Sequence, residues 1–277
     1  HPISRSMRLT RYERNQIAAI SHWKADKPSL FFRTFGVVLS PATRIINKIV
    51  PEAAVRVVLD FSSSAAGWLT DTHDILRDAG VFSVRDLRTH DLEVSDTLAD
   101  EVHNWAIGLA SAEGFATGAT GLPGLALDIP AIAVLALRTI HKIGVCYGFE
   151  VKTKQDNDFI LAILAVSGAN EMGEKVVALT TLRTVEVAIA KQTGKHRGQI
   201  AATQEIGQEA GSIGIKGLAT RQLGINLTKR KILQAIPAVG ALVGATVNGW
   251  YIKEIGWTAR RAFQERWLLE NRKVIEI

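Results

Sequence analysis

Hydrophobic residues recur at helical spacing along most of this chain, with short polar or glycine-containing breaks between the apolar stretches. Near the N-terminus the apolar positions run from Tyr12 to Trp23, and Pro28 follows shortly afterwards. Thr10 and Glu13 have the three-residue spacing of a capping box, in which a hydroxyl and a carboxylate satisfy the first helical amides. The pattern therefore predicts an amphipathic helix that begins after Thr10 and ends before Pro28.

The same reasoning predicts a series of helices and no sheet. We expect Gly80 and Gly148 to end two of them in the left-handed conformation, and Ser83 to cap a short turn in a polar connector over 83–95. No run of alternating β-branched residues is present. The predicted helices cover about 51–78, 96–112, 129–147, 156–168, 171–193 and 253–273. The fold class is therefore all-α.

Two segments rich in small residues, 111–150 and 228–252, are expected at the centre of this bundle. Between 240 and 249 small residues recur at every fourth position, which leaves one helix face almost without side chains. Such a face lets another helix approach closely, in soluble bundles and in membranes alike. We therefore expect a multi-helix bundle around a central glycine-rich pair of buried helices.

The longest apolar run, 115–137, has one charge in 23 residues and is long enough to cross a bilayer. Asp128 and Pro130 argue against a continuous span, because proline removes an amide donor and clashes with the preceding turn. We expect one helix to end near Pro123 and Gly124, and a second to begin near Ile129 with Asp128 as its N-cap. Burial in protein is favoured over exposure to lipid.

The domain organisation is expected to be simple. Residues 1–6, HPISRS, are interpreted as the remnant of an expression tag, with Met7 as the natural start. Residues 7–277 are expected to form a single helical domain, divided into an N-terminal layer over 7–95 and a glycine-rich core with C-terminal helices over 96–277. The segment 194–225, rich in glycine, glutamine and basic residues, is expected to be loosely packed.

Composition adds constraints on compartment and partner. The chain has 277 residues, a formal net charge of +6 and 47% hydrophobic residues, with one cysteine, Cys146. A single cysteine excludes an internal disulfide and fits a reducing compartment. The positive charge suits an anionic membrane surface. The basic residues are dispersed and no nucleic-acid motif is present, so nucleic acid is not expected as a partner.

The two glycine-rich segments carry a pattern that resembles the signatures of the EcsC protein family. The first comprises Ala112–Glu113–Gly114, Thr117–Gly118, Gly121–Leu122–Pro123–Gly124, Asp128–Ile129–Pro130, Arg138–Thr139–Ile140 and Cys146–Tyr147–Gly148. The second comprises Lys229–Arg230–Lys231, Gln234, Ile236–Pro237, Gly240–Ala241, Gly244–Ala245 and Asn248, and the opening Leu9–Thr10, Tyr12–Glu13 and Trp23–Lys24 also match. The resemblance implies a bacterial protein in a membrane-related context, since the namesake of the family is encoded beside an ABC transporter. It implies no catalytic residues.

One set of polar residues in these segments is a candidate site. We expect Glu113, Asp128, Arg138 and Asn248 to form a polar centre, because charges among apolar residues need partners. His141 lies three residues after Arg138, so the two are expected to share a helix face. One alternative is a hydrolase or transferase in which Glu113 and His141 exchange protons. No cofactor and no metal site is predicted.

A second candidate lies near the N-terminus, where Phe31, Phe32, Arg33 and Arg44 combine apolar and basic side chains. This combination suits insertion at a membrane interface, with the cations facing lipid phosphates. We therefore expect a cytoplasmic protein, peripheral at the inner membrane, that binds anionic lipid or a membrane-protein partner such as a transporter without catalysis. A pore-forming role stays open, as do the ligand and the oligomeric state.

Overall fold

The computed structural model describes residues 9–28, 60, 72–119, 122–195, 211, 214–227 and 240–273. Within these residues the regular structure consists of helices without a strand, which confirms an all-α, multi-helix fold. The helices are α1 (Arg11–Ala25), α2 (His73–Ala79), α3 (Leu92–Ala119), α4 (Leu122–Cys146), α5 (Lys154–Ser167), α6 (Met172–Lys195), α7 (214–227) and α8 (Gly240–Glu270), with a 3₁₀ helix over Val84–Thr89 between α2 and α3.

The long helix α8 is the axis of the molecule. It packs most extensively along α3 and also contacts α4, α5 and α1. Helices α3 and α4 form one hairpin, and α5 packs against α6 as a second. At the centre, the ring of Phe263 lies 6.3 Å from Tyr147, 5.9 Å from Phe149 and 5.3 Å from Phe159, measured between centroids. These buried rings tie α8 to the end of α4 and to α5.

Several helix ends follow the local predictions. The Glu13 amide donates to Thr10 Oγ1 at 3.0 Å, and the Thr10 amide donates to Glu13 Oε2 at 2.7 Å, which confirms the capping box. Gly80 and Gly148 have φ angles of 66° and 86°, as expected of left-handed stops. At Gly148 a Cβ would lie 2.5 Å from the Arg88 backbone nitrogen, so glycine is required for space as well.

The 115–137 run is divided between two helices, as predicted, but α3 already ends at Ala119, before the expected position near Pro123. Helix α4 begins at Leu122 and continues through Asp128 and Pro130 to Cys146, so Asp128 is not an N-cap. Pro123 occupies the first turn of α4, where its missing amide hydrogen costs nothing. Helix α4 packs against α3 and α8, and most helical stability in proteins comes from tertiary packing of this kind.

The prediction that 194–225 is loosely packed is also wrong where the structure describes this segment. Residues 214–227 form a helix, and Ile215, Ala219 and Leu223 are buried on one face of it. These residues lie four apart, the spacing of a core-facing stripe. The surrounding glycine, glutamine and basic residues obscured this stripe in the sequence.

Glycines allow α8 to approach its neighbours closely. A Cβ on Gly249 would overlap the Ser111 hydroxyl, and a Cβ on Gly256 would overlap the His103 ring, both on α3. At the α4–α8 contact, a Cβ on Gly144 would lie 2.6 Å from Cζ of Phe263. Whether the two small-residue segments form a buried central pair stays a prediction, because the side chains of 113–130 and 228–244 are not among those the structure describes.

Candidate functional site

The structure describes two of the four residues predicted as a polar centre. Asn248 on α8 is fully buried, whereas Arg138 on α4 is exposed. Glu113 and Asp128 belong to α3 and α4, but their side chains lie outside the described set. The four-residue centre therefore stays a prediction. Of the expected membrane-interface residues, all four (Phe31, Phe32, Arg33 and Arg44) lie outside the described residues.

His141 and Arg138 do not share an environment, contrary to the expectation from their spacing. His141 is 5% exposed, while Arg138 faces solvent, because the edge of the buried face of α4 passes between them. Burial lowers the pKa of His141 to about 4, so its imidazole is neutral at pH 7. Cys146, one turn further along, is completely buried, and burial raises the pKa of its thiol. A buried thiol of this kind is expected to be inert.

The exposed side of the α3–α4 hairpin carries a tryptophan beside a lysine. Trp105 on α3 is 63% exposed, and Leu109, one turn later, is 42% exposed. The Lys142 ammonium of α4 lies 5.9 Å from the centre of the Trp105 ring, and Arg138 is one helical turn before Lys142. We call Trp105, Leu109, Arg138 and Lys142 the hairpin face. Exposed apolar side chains that adjoin each other and are rimmed by polar residues are typical of interaction sites.

Beyond the hairpin face, the two helices continue into an apolar sequence. Helix α3 extends 14 residues past Trp105 to Ala119, about 20 Å at about 1.5 Å per residue. Between Leu109 and Arg138 the sequence has two charged residues, Glu113 and Asp128. The hairpin face therefore marks the point where both helices change from mixed to almost entirely apolar sequence. No helix in the described residues is long and apolar enough to span a bilayer.

A buried carboxylate forms the densest polar cluster among the described residues. Asp96 on α3 is 3% exposed. Its carboxylate accepts hydrogen bonds from the Tyr12 hydroxyl at 2.6 Å, from Gln264 Nε2 at 2.7 Å and from the Tyr147 hydroxyl. Burial and the nearby Asp96 charge raise the pKa of both tyrosines well above the ordinary value, so both stay protonated and donate.

This Asp96 cluster joins four elements rather than lining an opening. Tyr12 comes from α1, Tyr147 follows α4, and Gln264 comes from α8. Three donors satisfy the buried carboxylate, which removes the penalty of burying it alone. We interpret the cluster as structural. Sequence reasoning did not identify Asp96, although Tyr12 and Tyr147 were both among the residues that carry the family resemblance.

Comparison with known proteins places these features in context. The profile of the EcsC protein family matches residues 14–268 of the chain. The uncharacterized protein YdbA of Bacillus subtilis is 26% identical over 277 residues, covering 94% of this chain and 94% of YdbA. Protein EcsC of the same organism is 24% identical over 169 residues, covering 59% of each chain. No solved structure matches the chain.

Proposed function

This chain belongs to the EcsC protein family, and from that premise we propose that it is a non-catalytic, membrane-associated bacterial protein that binds anionic lipid through the hairpin face. It acts as a peripheral protein at the cytoplasmic side of the inner membrane. A membrane-protein partner such as a transporter is the second candidate for the same surface, and the experiment below separates the two.

The observation that carries this proposal is the exposed Trp105 with the Lys142 ammonium over its ring. Tryptophan is enriched at membrane–water interfaces, because its large apolar ring also carries a polar N–H group. Lysine and arginine extend their alkyl chains along apolar surface and keep the charge at the level of the head groups. Lys142 and Arg138 are therefore suited to contact lipid phosphates beside the inserted ring of Trp105.

The apolar sequence beyond the hairpin face supports the same orientation. Interfacial helices bury their apolar side about 5–10 Å into the boundary between head groups and acyl chains. Among the described residues of the hairpin, Trp105 and Leu109 are the large exposed apolar side chains for such insertion. The net charge of +6 adds a general attraction to an anionic leaflet. Attraction through basic residues weakens as salt is added, because mobile ions screen the charges.

Liposome flotation tests this proposal. The protein is expected to float with vesicles of phosphatidylglycerol at low salt, and to float much less with phosphatidylcholine. The double variant R138Q/K142Q removes two cations worth about 1 kcal/mol each at an anionic surface. Its partition constant should therefore fall roughly thirtyfold. Trp105→Ala should lower binding to both lipids, because the aromatic ring contributes independently of charge.

Matched controls come from exposed residues outside the hairpin. Phe82 is 100% exposed, so Phe82→Ala removes an aromatic ring that is even more accessible than Trp105. R77Q/R85Q removes two exposed arginines. Both controls should bind vesicles like the unmodified protein. Absence of binding to phosphatidylglycerol at low salt would contradict the lipid proposal and leave a membrane-protein partner as the candidate. Equal losses of binding in the control variants and the hairpin variants would have the same consequence.

A further inference from the structure

A polar cavity separate from the hairpin face is lined by a different set of residues. Its volume is about 200 Å³, well above the roughly 10–15 Å³ that a single water molecule needs. It lies between four parts of the fold: the end of α1, the turn that joins α5 to α6, helix α7, and the middle of α8. The walls of the cavity include Trp23, Asn170, Lys175, Trp250, Glu254 and Thr258.

Lys175 places a buried cation at this cavity. The side chain is on α6, and the residue is 5% exposed. Its ammonium donates to the Asp26 carbonyl at 2.7 Å and to the Trp23 carbonyl, and lies 5.4 Å from the centre of the Trp23 ring. An ammonium has three donors. The two backbone carbonyls use two of these donors.

Glu254 places an acid in the same cavity. It is on α8, and burial raises the pKa of its carboxyl while the charges of Lys253 and Lys175 lower it. Burial likewise lowers the pKa of Lys175, opposed by the charges of Asp26 and Glu254. The Glu254 and Lys175 charges thus influence each other without a direct ion pair in the described part of the chain. Both side chains line the cavity, so a ligand in it can contact an ammonium from α6 and a carboxyl group from α8.

The other walls suit a polar molecule of a few heavy atoms. Asn170 and Thr258 carry an amide and a hydroxyl, which hydrogen bond without adding charge. Trp23 and Trp250 supply apolar surface for a short carbon chain. Sites for drug-sized ligands have volumes of about 300–1,000 Å³. This cavity is smaller, which suits a molecule about the size of an amino acid.

We propose that this cavity binds a small zwitterion, whose anionic group pairs with Lys175 and whose ammonium group pairs with Glu254. A free amino acid has this chemistry, and so does the phosphoethanolamine head group of a lipid. In both, a primary ammonium and a carboxylate or phosphate are separated by a few bonds. The inference does not rest on membrane binding, because it uses none of the residues of the hairpin face.

Isothermal titration calorimetry on the full chain tests this inference. The probes are glycine, L-alanine and O-phosphoethanolamine, with ethylamine and acetate as compounds that carry one of the two charges. At least one zwitterion is expected to bind at least tenfold more tightly than either single-charge compound. Binding by glycine or alanine alone identifies a free amino acid as the source, whereas binding by phosphoethanolamine alone identifies the head group.

Two cavity variants and one control complete the test. Glu254→Gln keeps the size of the side chain, removes its charge and should weaken zwitterion binding at least tenfold. Lys175→Met should do the same, and if it fails to fold, Glu254→Gln alone decides. Glu171→Gln neutralises an exposed carboxylate just before α6 and should bind normally. The inference is overturned if none of the three zwitterions binds at millimolar concentration, or if Glu254→Gln binds as tightly as the unmodified protein.

Discussion

Individual buried carboxylates in this protein are accommodated in two different ways. Asp96 accepts three hydrogen bonds from neutral donors and needs no ion pair. Glu186 on α6 is 9% exposed, and its Oε2 lies 2.9 Å from Nη1 of Arg183. Burial, with the repulsive charge of Glu265, raises the pKa of Glu186 from 4.5 to about 7 despite this arginine. Ionised Glu186 is therefore a source of instability at neutral pH.

The raised pKa of Glu186 predicts a specific dependence of stability on pH. Between about pH 4.5 and 7 the folded protein holds a proton on Glu186 that the unfolded chain releases. The stabilisation from this proton is complete below the pKa of Glu186 in the unfolded chain. It is lost, by up to about 3 kcal/mol, as pH rises through the pKa of Glu186 in the folded protein. Glu186→Gln cannot ionise, so its stability relative to the unmodified protein should increase from pH 5 to pH 8.

Urea unfolding of Glu186→Gln and of the unmodified protein at several pH values measures the difference in their free energies of unfolding. The other ionisable groups are common to both proteins, so their contributions cancel. A difference between Glu186→Gln and the unmodified protein that stays constant from pH 5 to pH 8 would show that Glu186 titrates normally.

Between helices, glycines determine how closely α8 approaches α3. His103 on α3 is 2% exposed, lies directly against Gly256, and its Nε2 is 3.0 Å from the Lys253 carbonyl. The ring is therefore held on both sides and has no room to move. Tight packing of this kind makes helix spacing sensitive to a single methyl group.

Gly256→Ala is expected to destabilise the protein by about 1–3 kcal/mol, because the new methyl overlaps the His103 ring. The sign is informative, since glycine to alanine inside a helix ordinarily stabilises by up to about 1 kcal/mol. Gly108→Ala on α3 is the matched control, because a Cβ there meets nothing within 4 Å. It should be neutral or stabilising.

Thermal and urea unfolding report both glycine substitutions. Equal stabilisation by Gly256→Ala and Gly108→Ala would mean that α3 and α8 lie further apart than the structure shows. The comparison thus tests the helix spacing itself and does not depend on any assignment of function.

Across the whole molecule, α1 is connected to the C-terminal helix by long-range ion pairs. The Lys24 ammonium lies 2.6 Å from Oε1 of Glu265, and Lys273 Nζ lies 3.2 Å from Oε1 of Glu13. The Glu265 side chain is 5% exposed, so its charge depends on a nearby cation. These pairs hold α1 on the bundle together with the hydrogen bond from Tyr12 to Asp96.

Lys24→Met should lower the free energy of unfolding by roughly 2 kcal/mol, because it leaves a buried carboxylate without its cation. Lys152→Met is the control. Lys152 pairs with Glu150 at 2.7 Å, but the two side chains are 70% and 35% exposed. Exposed pairs contribute about 0–1 kcal/mol, so this control should change little. Similar losses from both substitutions in urea unfolding would show that the burial of Glu265 does not matter.

The sequence alone determined the all-α class, the capping box at Thr10 and Glu13, and the left-handed stops at Gly80 and Gly148. These features depend on residues a few positions apart, which contact each other in any helical context. It also identified the EcsC family from motif residues, two of which, Tyr12 and Tyr147, bind Asp96.

Tertiary structure decided the features that depend on distant partners. Local rules start a helix near Ile129, yet α4 begins at Leu122, packs against α3 and α8, and continues through Pro130. Tryptophan is large and apolar, as core residues usually are, so the sequence does not show that Trp105 is exposed. Its exposure follows from the way α3 packs against α8 and α4. The cavity at Lys175 and Glu254 needs α1, α5, α6, α7 and α8 together. Burial is a property of the assembled helices, so the spacing of residues along the chain does not specify it.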